Sequence, residues 1–195
     1  MKISFVIFLF GASMQIYSCK GQVNKENGCY SNFSKAKKIA YSSNTRISAL
    51  DSALNLTNLM LNCDTVRRDA IELKATILTQ LERFEEGIRF VDSLKASDFN
   101  YGFKKEYLSK LYKAFSLERK GELESSKNIY KEIDTYFSNY IKNNLLSVTE
   151  FKQVLIYQFE IKGRYITKNE INKQVDSLKL IYPDKSEFLN FLIQD

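Results

Sequence analysis

The sequence predicts an all-α chain of antiparallel helical hairpins joined by short turns. Three observations carry this reading. The 195 residues include one Pro and seven Gly, too few for a turn-rich β fold. Apolar residues recur at i, i+3, i+4 and i+7 from residue 31 onward. Capping and turn residues punctuate the pattern at intervals of a helix length. The hydrophobic fraction of 44% suits a chain with its own core, and the length fits one folded domain.

The chain opens on Met1-Lys2, an apolar run over residues 3–10, and then Gly11, Ala12 and Ser13. A short positive start, a short apolar run and small residues form the layout of an export signal, expected over 1–18. The apolar run is too short to span a bilayer by itself. Residues 19–30 are polar and lack apolar periodicity, so they read as a flexible tether. The helical domain is then expected over 31–195.

Helices are expected at 31–42, 45–62, 65–81, 84–96, 102–120, 122–141, 148–162, 168–181 and 185–194. Leu50, Leu54 and Leu61 form the stripe of the second helix. Ile71, Ala75, Leu78 and Leu81 form that of the third, and Leu111, Ala114, Phe115 and Leu117 that of the fifth. Gly121 and Gly163 each close one helix and precede another. Ser147 with Glu150, and Thr167 with Glu170, have the spacing of capping boxes. Asp184 with Glu187 is a similar pair behind Pro183, which stops one helix and starts the last.

Three cysteines in an exported chain leave one unpaired. Cys29 precedes the first expected helix and Cys63 follows the second, so a helical hairpin brings them to one end. In an oxidising compartment they can form a disulfide; the alternative is two buried thiols. Cys19 then has another role to fill.

Ile16-Tyr17-Ser18-Cys19 resembles the lipobox of bacterial lipoproteins. That resemblance implies cleavage before Cys19, acylation of Cys19, and anchoring of the mature chain to a membrane. Two acyl chains suffice for stable attachment. A composition rich in Lys, Asn, Ile, Tyr and Phe resembles that of chains encoded by AT-rich bacterial genomes of the Bacteroidota type. The implied location is the cell envelope, on the outer membrane facing the periplasm. Residues 81–91, beginning Leu81-Glu82-Arg83-Phe84, and residues 120–130, beginning Lys120-Gly121-Glu122-Leu123, resemble the turn and second helix of a tetratricopeptide repeat. Glu82 stands where that family places a turn Gly. Ala53 and Gly87 are 34 residues apart, the family period. The resemblance implies a right-handed superhelix with a concave groove lined by the first helix of each hairpin. Carried onto this chain, the groove positions are Glu72, Leu73, Tyr112, Phe115, Arg119, Gln153 and Tyr157. They imply a partner that is an envelope protein or peptide, held by aromatic anchors beside charges.

Composition narrows the chemistry. With no His, neither a His-dependent triad nor an imidazole metal site is possible, and three Cys cannot complete a four-ligand zinc site. No Gly-rich phosphate loop or nucleophile motif occurs, so no catalytic residue, cofactor or metal is expected. The net charge of +6 is dispersed, its densest run being Lys35-Ala36-Lys37-Lys38, so no nucleic-acid partner is expected. Two alternatives to an interaction module stay open: a toxin-neutralising immunity lipoprotein, and a carrier of a hydrophobic small ligand.

Overall fold

The computed structural model describes residues 23–42 and 46–192. The expected export signal, Cys19 and the first residues of the tether lie outside them. Among the described residues the fold is all-α, with nine helices and no strand. They are α1 (Val23–Ala40), α2 (Ile47–Met60), α3 (Arg67–Gln80), α4 (Phe84–Asp92), α5 (Lys104–Arg119), α6 (Leu123–Asn143), α7 (Val148–Lys162), α8 (Lys168–Ile181) and α9 (Ser186–Phe191). Short 3-10 turns at Ala96–Asp98 and Pro183–Lys185 precede α5 and α9.

The largest departure from expectation is at the start. α1 begins at Val23, so the later part of the expected tether, residues 23–30, is helical and Cys29 lies inside α1. The segment is too polar to show a stripe, and the Cys29–Cys63 bridge ties it to the end of α2. α4 also stops earlier than expected. The hydroxyl of Ser93 donates to the Phe90 carbonyl at 2.7 Å, and Leu94 folds back into the core. The Asp184 cap does not form; instead the hydroxyl of Ser186 donates to the Pro183 carbonyl at 2.8 Å.

The other caps follow the expected chemistry in part. Thr167 and Glu170 make the full reciprocal box at the start of α8. Ser147 accepts from the Glu150 amide at 3.2 Å, but the Glu150 carboxylate accepts from the Tyr140 hydroxyl instead. The turns before α4 and α6 are matched: Glu82 (φ 54°) and Gly121 (φ 82°) both take the left-handed conformation. Glu82 adopts it without being Gly, while Gly163 stays right-handed at φ −59° and closes a different kind of turn.

Successive helices through α7 pack as antiparallel neighbours, so the array has two ends. At one end Cys29 is bridged to Cys63, with Cα atoms 6.3 Å apart. Along that end Arg67 pairs with Asp98, Phe103 meets Tyr140, and Phe151 meets Tyr182. At the opposite end Gln80 donates to the Ala40 carbonyl at 2.8 Å, Arg83 pairs with Asp51 at 2.6 Å, and Arg119 donates to the Glu82 carbonyl at 2.8 Å.

The interior forms three linked clusters. The first draws on α1 to α4 around Met60, Ile71, Ile77 and Leu78. The second joins α5, α6 and α7 through Phe103, Tyr107, Tyr130, Ile133 and Phe137. The third lies under α8 and α9, around Phe151, Leu155, Val175 and Leu189. Tyr112 of α5 belongs to the first cluster, reaching across α4 at Gly87. Its ring is fully buried, and its hydroxyl donates to the Ala75 carbonyl at 2.6 Å. A Cβ built on Gly87 would stand 2.5 Å from that ring. Small residues thus set the helix spacing: Ala53, Ala75, Ala114 and Ser126 are also buried at helix contacts.

Two measurements test this packing. Gly87→Ala is expected to lower the urea midpoint: overpacking costs about 1–3 kcal/mol against a fixed ring, outweighing a helix-propensity gain of about 1 kcal/mol. Gly163→Ala, with only ordinary contacts around its Cβ, is expected to hold or raise the midpoint. The paired change Cys29→Ser/Cys63→Ser opens a loop with a sequence separation of 34, and is expected to lose about 3–4 kcal/mol. An equal loss on reducing the wild-type protein, with no further effect of reductant on the variant, would confirm the bridge as the cause.

Candidate binding groove

The groove positions carried from the repeat resemblance divide into two groups. Leu73, Tyr112, Phe115 and Tyr157 are buried, at 7% exposure or less. Tyr112 is the joint described above. Phe115 meets Phe84 at 5.5 Å, and Tyr157 meets Tyr107 at 4.9 Å and Phe103 at 6.0 Å. These aromatic side chains are core rather than anchors offered to a partner, which corrects the expectation. Helical spacing places them on the inner half of their helices, and neighbouring hairpins cover that half. Arg119 is exposed and pairs with Glu82 at 3.4 Å. Glu72 and Gln153 are partly exposed.

What gathers around Glu72 differs from the expected set. Lys104, at the start of α5, is buried and holds the Glu72 Oε2 at 2.6 Å. Its ammonium lies 5.4 Å from the ring centre of Tyr101 and 5.6 Å from that of Tyr157. A buried ammonium needs such compensation, since desolvation costs several kcal/mol per ion (roughly), and both the carboxylate and the ring faces supply it. The other carboxylate oxygen, Glu72 Oε1, is buried without a partner. Lys104 does carry a sequence signal: it falls on the apolar stripe Lys104, Leu108, Leu111, Phe115. A cation on a buried stripe points to an acid opposite it.

The tyrosines around this pair are held protonated. Burial pushes the Tyr157 hydroxyl well above its ordinary range, and the charges of Glu72 and Glu160 push it further. Burial, followed by the charges of Glu72 and Glu150, also raises the Tyr101 hydroxyl. Tyr41, just beyond α1, is raised by burial and by Glu72 against the lowering effect of Thr76. Glu160 has solvent-accessible surface, yet the surrounding wall raises its carboxyl pKa, with Arg164 opposing. One wall drawn from the ends or faces of α1, α3, α5 and α7 therefore presents neutral phenols beside carboxylates. At neutral pH the phenols can donate hydrogen bonds but cannot act as bases. The arrangement suits recognition of polar groups rather than proton transfer.

A concavity of about 340 Å³ opens between α6, α7 and α8. Ile141, Phe151, Leu155, Leu178 and Tyr182 supply its apolar wall. Its polar side is anchored on Asp134, which accepts from Gln158 at 2.6 Å and from the Tyr165 hydroxyl, and pairs with Lys162 at 3.4 Å.

Among the described residues no cluster of three or more His, Cys, Asp or Glu could hold a metal, and no helix is long and apolar enough to cross a membrane. Comparison with protein-family models, curated proteins and solved structures finds no match to the chain.

A double-mutant cycle tests the central pair. Lys104→Met leaves a partly buried carboxylate uncompensated, and is expected to cost toward the lower end of about 3–5 kcal/mol. Adding Glu72→Leu is expected to recover most of that loss in chemical denaturation. Additive losses would show that the two side chains do not interact.

Proposed function

We propose that the protein is a membrane-anchored, periplasm-facing tetratricopeptide-like lipoprotein that binds another envelope protein or peptide and catalyses nothing. The observation that carries the binding reading is the wall around Glu72. Glu72, partly exposed and held by Lys104 at 2.6 Å, has the accessible Tyr41 and Tyr101 near it, and this set favours a ligand that brings hydrogen-bond donors and acceptors together. A peptide backbone does so along its length. The repeat reading draws support from the paired left-handed turns at Glu82 and Gly121, and from the small residues seated at helix contacts. The export signal and the lipobox-like residues support the envelope location. The 340 Å³ concavity favours the second reading, a carrier of a hydrophobic small ligand, because its wall is apolar on one side and polar on the other.

Site-specific photocrosslinking in intact envelopes tests the binding reading. A benzophenone side chain at Gln153, on the groove face of α7, is expected to give a discrete protein adduct. One at Lys131, exposed on α6, is expected to give none. The Gln153 adduct is expected to weaken in a Glu72→Gln background. Equal adducts from both positions, or none from Gln153, would reject the groove as the binding face.

A further inference from the structure

The end of the helical array where α1 begins also carries a set of apolar side chains that no helix covers. Leu145, in the turn between α6 and α7, is fully exposed. Val148 at the start of α7 and Leu180 and Ile181 at the end of α8 are each more than half exposed. These positions share one end. Contacts run along it from the Cys29–Cys63 bridge through Arg67–Asp98 and Phe103–Tyr140 to Phe151–Tyr182.

We propose that this end rests on the membrane, with Leu145, Val148, Leu180 and Ile181 entering the lipid interface. The inference rests on the lipid-anchor reading of Cys19, and it deepens that reading. Because α1 already begins at Val23, only four peptide steps separate it from Cys19, about 14 Å when fully extended. An acylated Cys19 therefore holds the start of α1 close to the bilayer, on the side of the array that carries these side chains. The exposed side chains sit on a turn and a helix end rather than in a groove, a shape suited to shallow insertion into a soft apolar phase. Charges nearby balance: Lys142, Lys152 and Lys185 stand with Glu150, Asp184 and Glu187. The contact is therefore apolar, does not require anionic lipid, and persists in salt. It stands the hairpins end-on, leaving the Arg119 and Glu122 end farthest from the bilayer.

The test uses full-length lipidated protein in phosphatidylcholine vesicles carrying doxyl-labelled lipid. Single changes Leu145→Cys, Leu180→Cys and Glu122→Cys each carry an environment-sensitive NBD label. The expected result is blue-shifted emission and doxyl quenching at 145 and 180, unchanged by salt, with neither effect at 122. An acylated, vesicle-bound protein whose labels at 145 and 180 stay in water overturns this inference and leaves the anchor standing. Absence of acyl mass on Cys19 overturns the anchor reading and the inference with it.

Discussion

The seating of Tyr112 on Gly87 is the contact on which the rest of the structure depends. With Phe84–Phe115 and Lys104–Glu72 it joins the first hairpins to those that follow. Tyr112 rises from α5, whose other buried apolar residues belong to the second cluster, and ends in the first, with its hydroxyl on the Ala75 carbonyl of α3. The ring can reach that carbonyl only because α4 presents hydrogen at position 87. One absent methyl therefore sets the separation of α4 and α5 and joins three helices at a point. Farther along, α7 acts as a second joint by splitting its faces. Val154, Tyr157 and Ile161 pack toward α5 and α6, while Phe151, Leu155 and Phe159 pack toward α8 and α9.

The same geometry decides what the tyrosines can do. Twelve Tyr and no His make phenols the principal aromatic polar groups of this chain. Where the hairpins converge, burial and the Glu72 charge act in the same direction on Tyr101, Tyr157 and Tyr41, and all three hold their protons more tightly. Lys104 reaches the centre of this wall and neutralises one oxygen of Glu72 but not the other. Glu72 thus has one oxygen bound by Lys104 and one buried without a partner.

Much of the fold was legible in the sequence because its signals are local. Stripes, capping residues and Gly121 mark helices without reference to anything distant. The cysteine pair was legible for a related reason: a hairpin is the simplest tertiary object, and its ends must meet. The site was less legible. Spacing shows that Tyr112, Phe115 and Tyr157 share inner faces, but it does not show whether an inner face meets a neighbouring hairpin or solvent. Here neighbouring hairpins win, because large rings bury more apolar area there than a groove allows. Lys104 is legible only in part: its place on an apolar stripe shows in the sequence, but its partner is an acid 32 positions earlier in the chain. The early start of α1 was hidden by a polar stretch that a covalent bond helps to hold helical.

That last point explains why the bridge sits where it does. α1 contributes little to the interior: Ala36 and Ala40 are its buried apolar residues among those described, with Cys29, Phe33 and Ile39 partly covered. Two alanines supply little apolar area to oppose the entropy of ordering a helix of 18 residues. Contacts at its far end, where Gln80 holds the Ala40 carbonyl, fix only the last turn. The Cys29–Cys63 bond fixes the other end, so the helix is held at both ends, with Phe33, Ala36 and Ile39 packed against the first cluster between them. A chain pulled from its N-terminus would load α1 first. With the bridge in place that load passes across to Cys63 at the start of the turn into α3, so the part of α1 beyond Cys29 and all of α2 lie inside the closed loop.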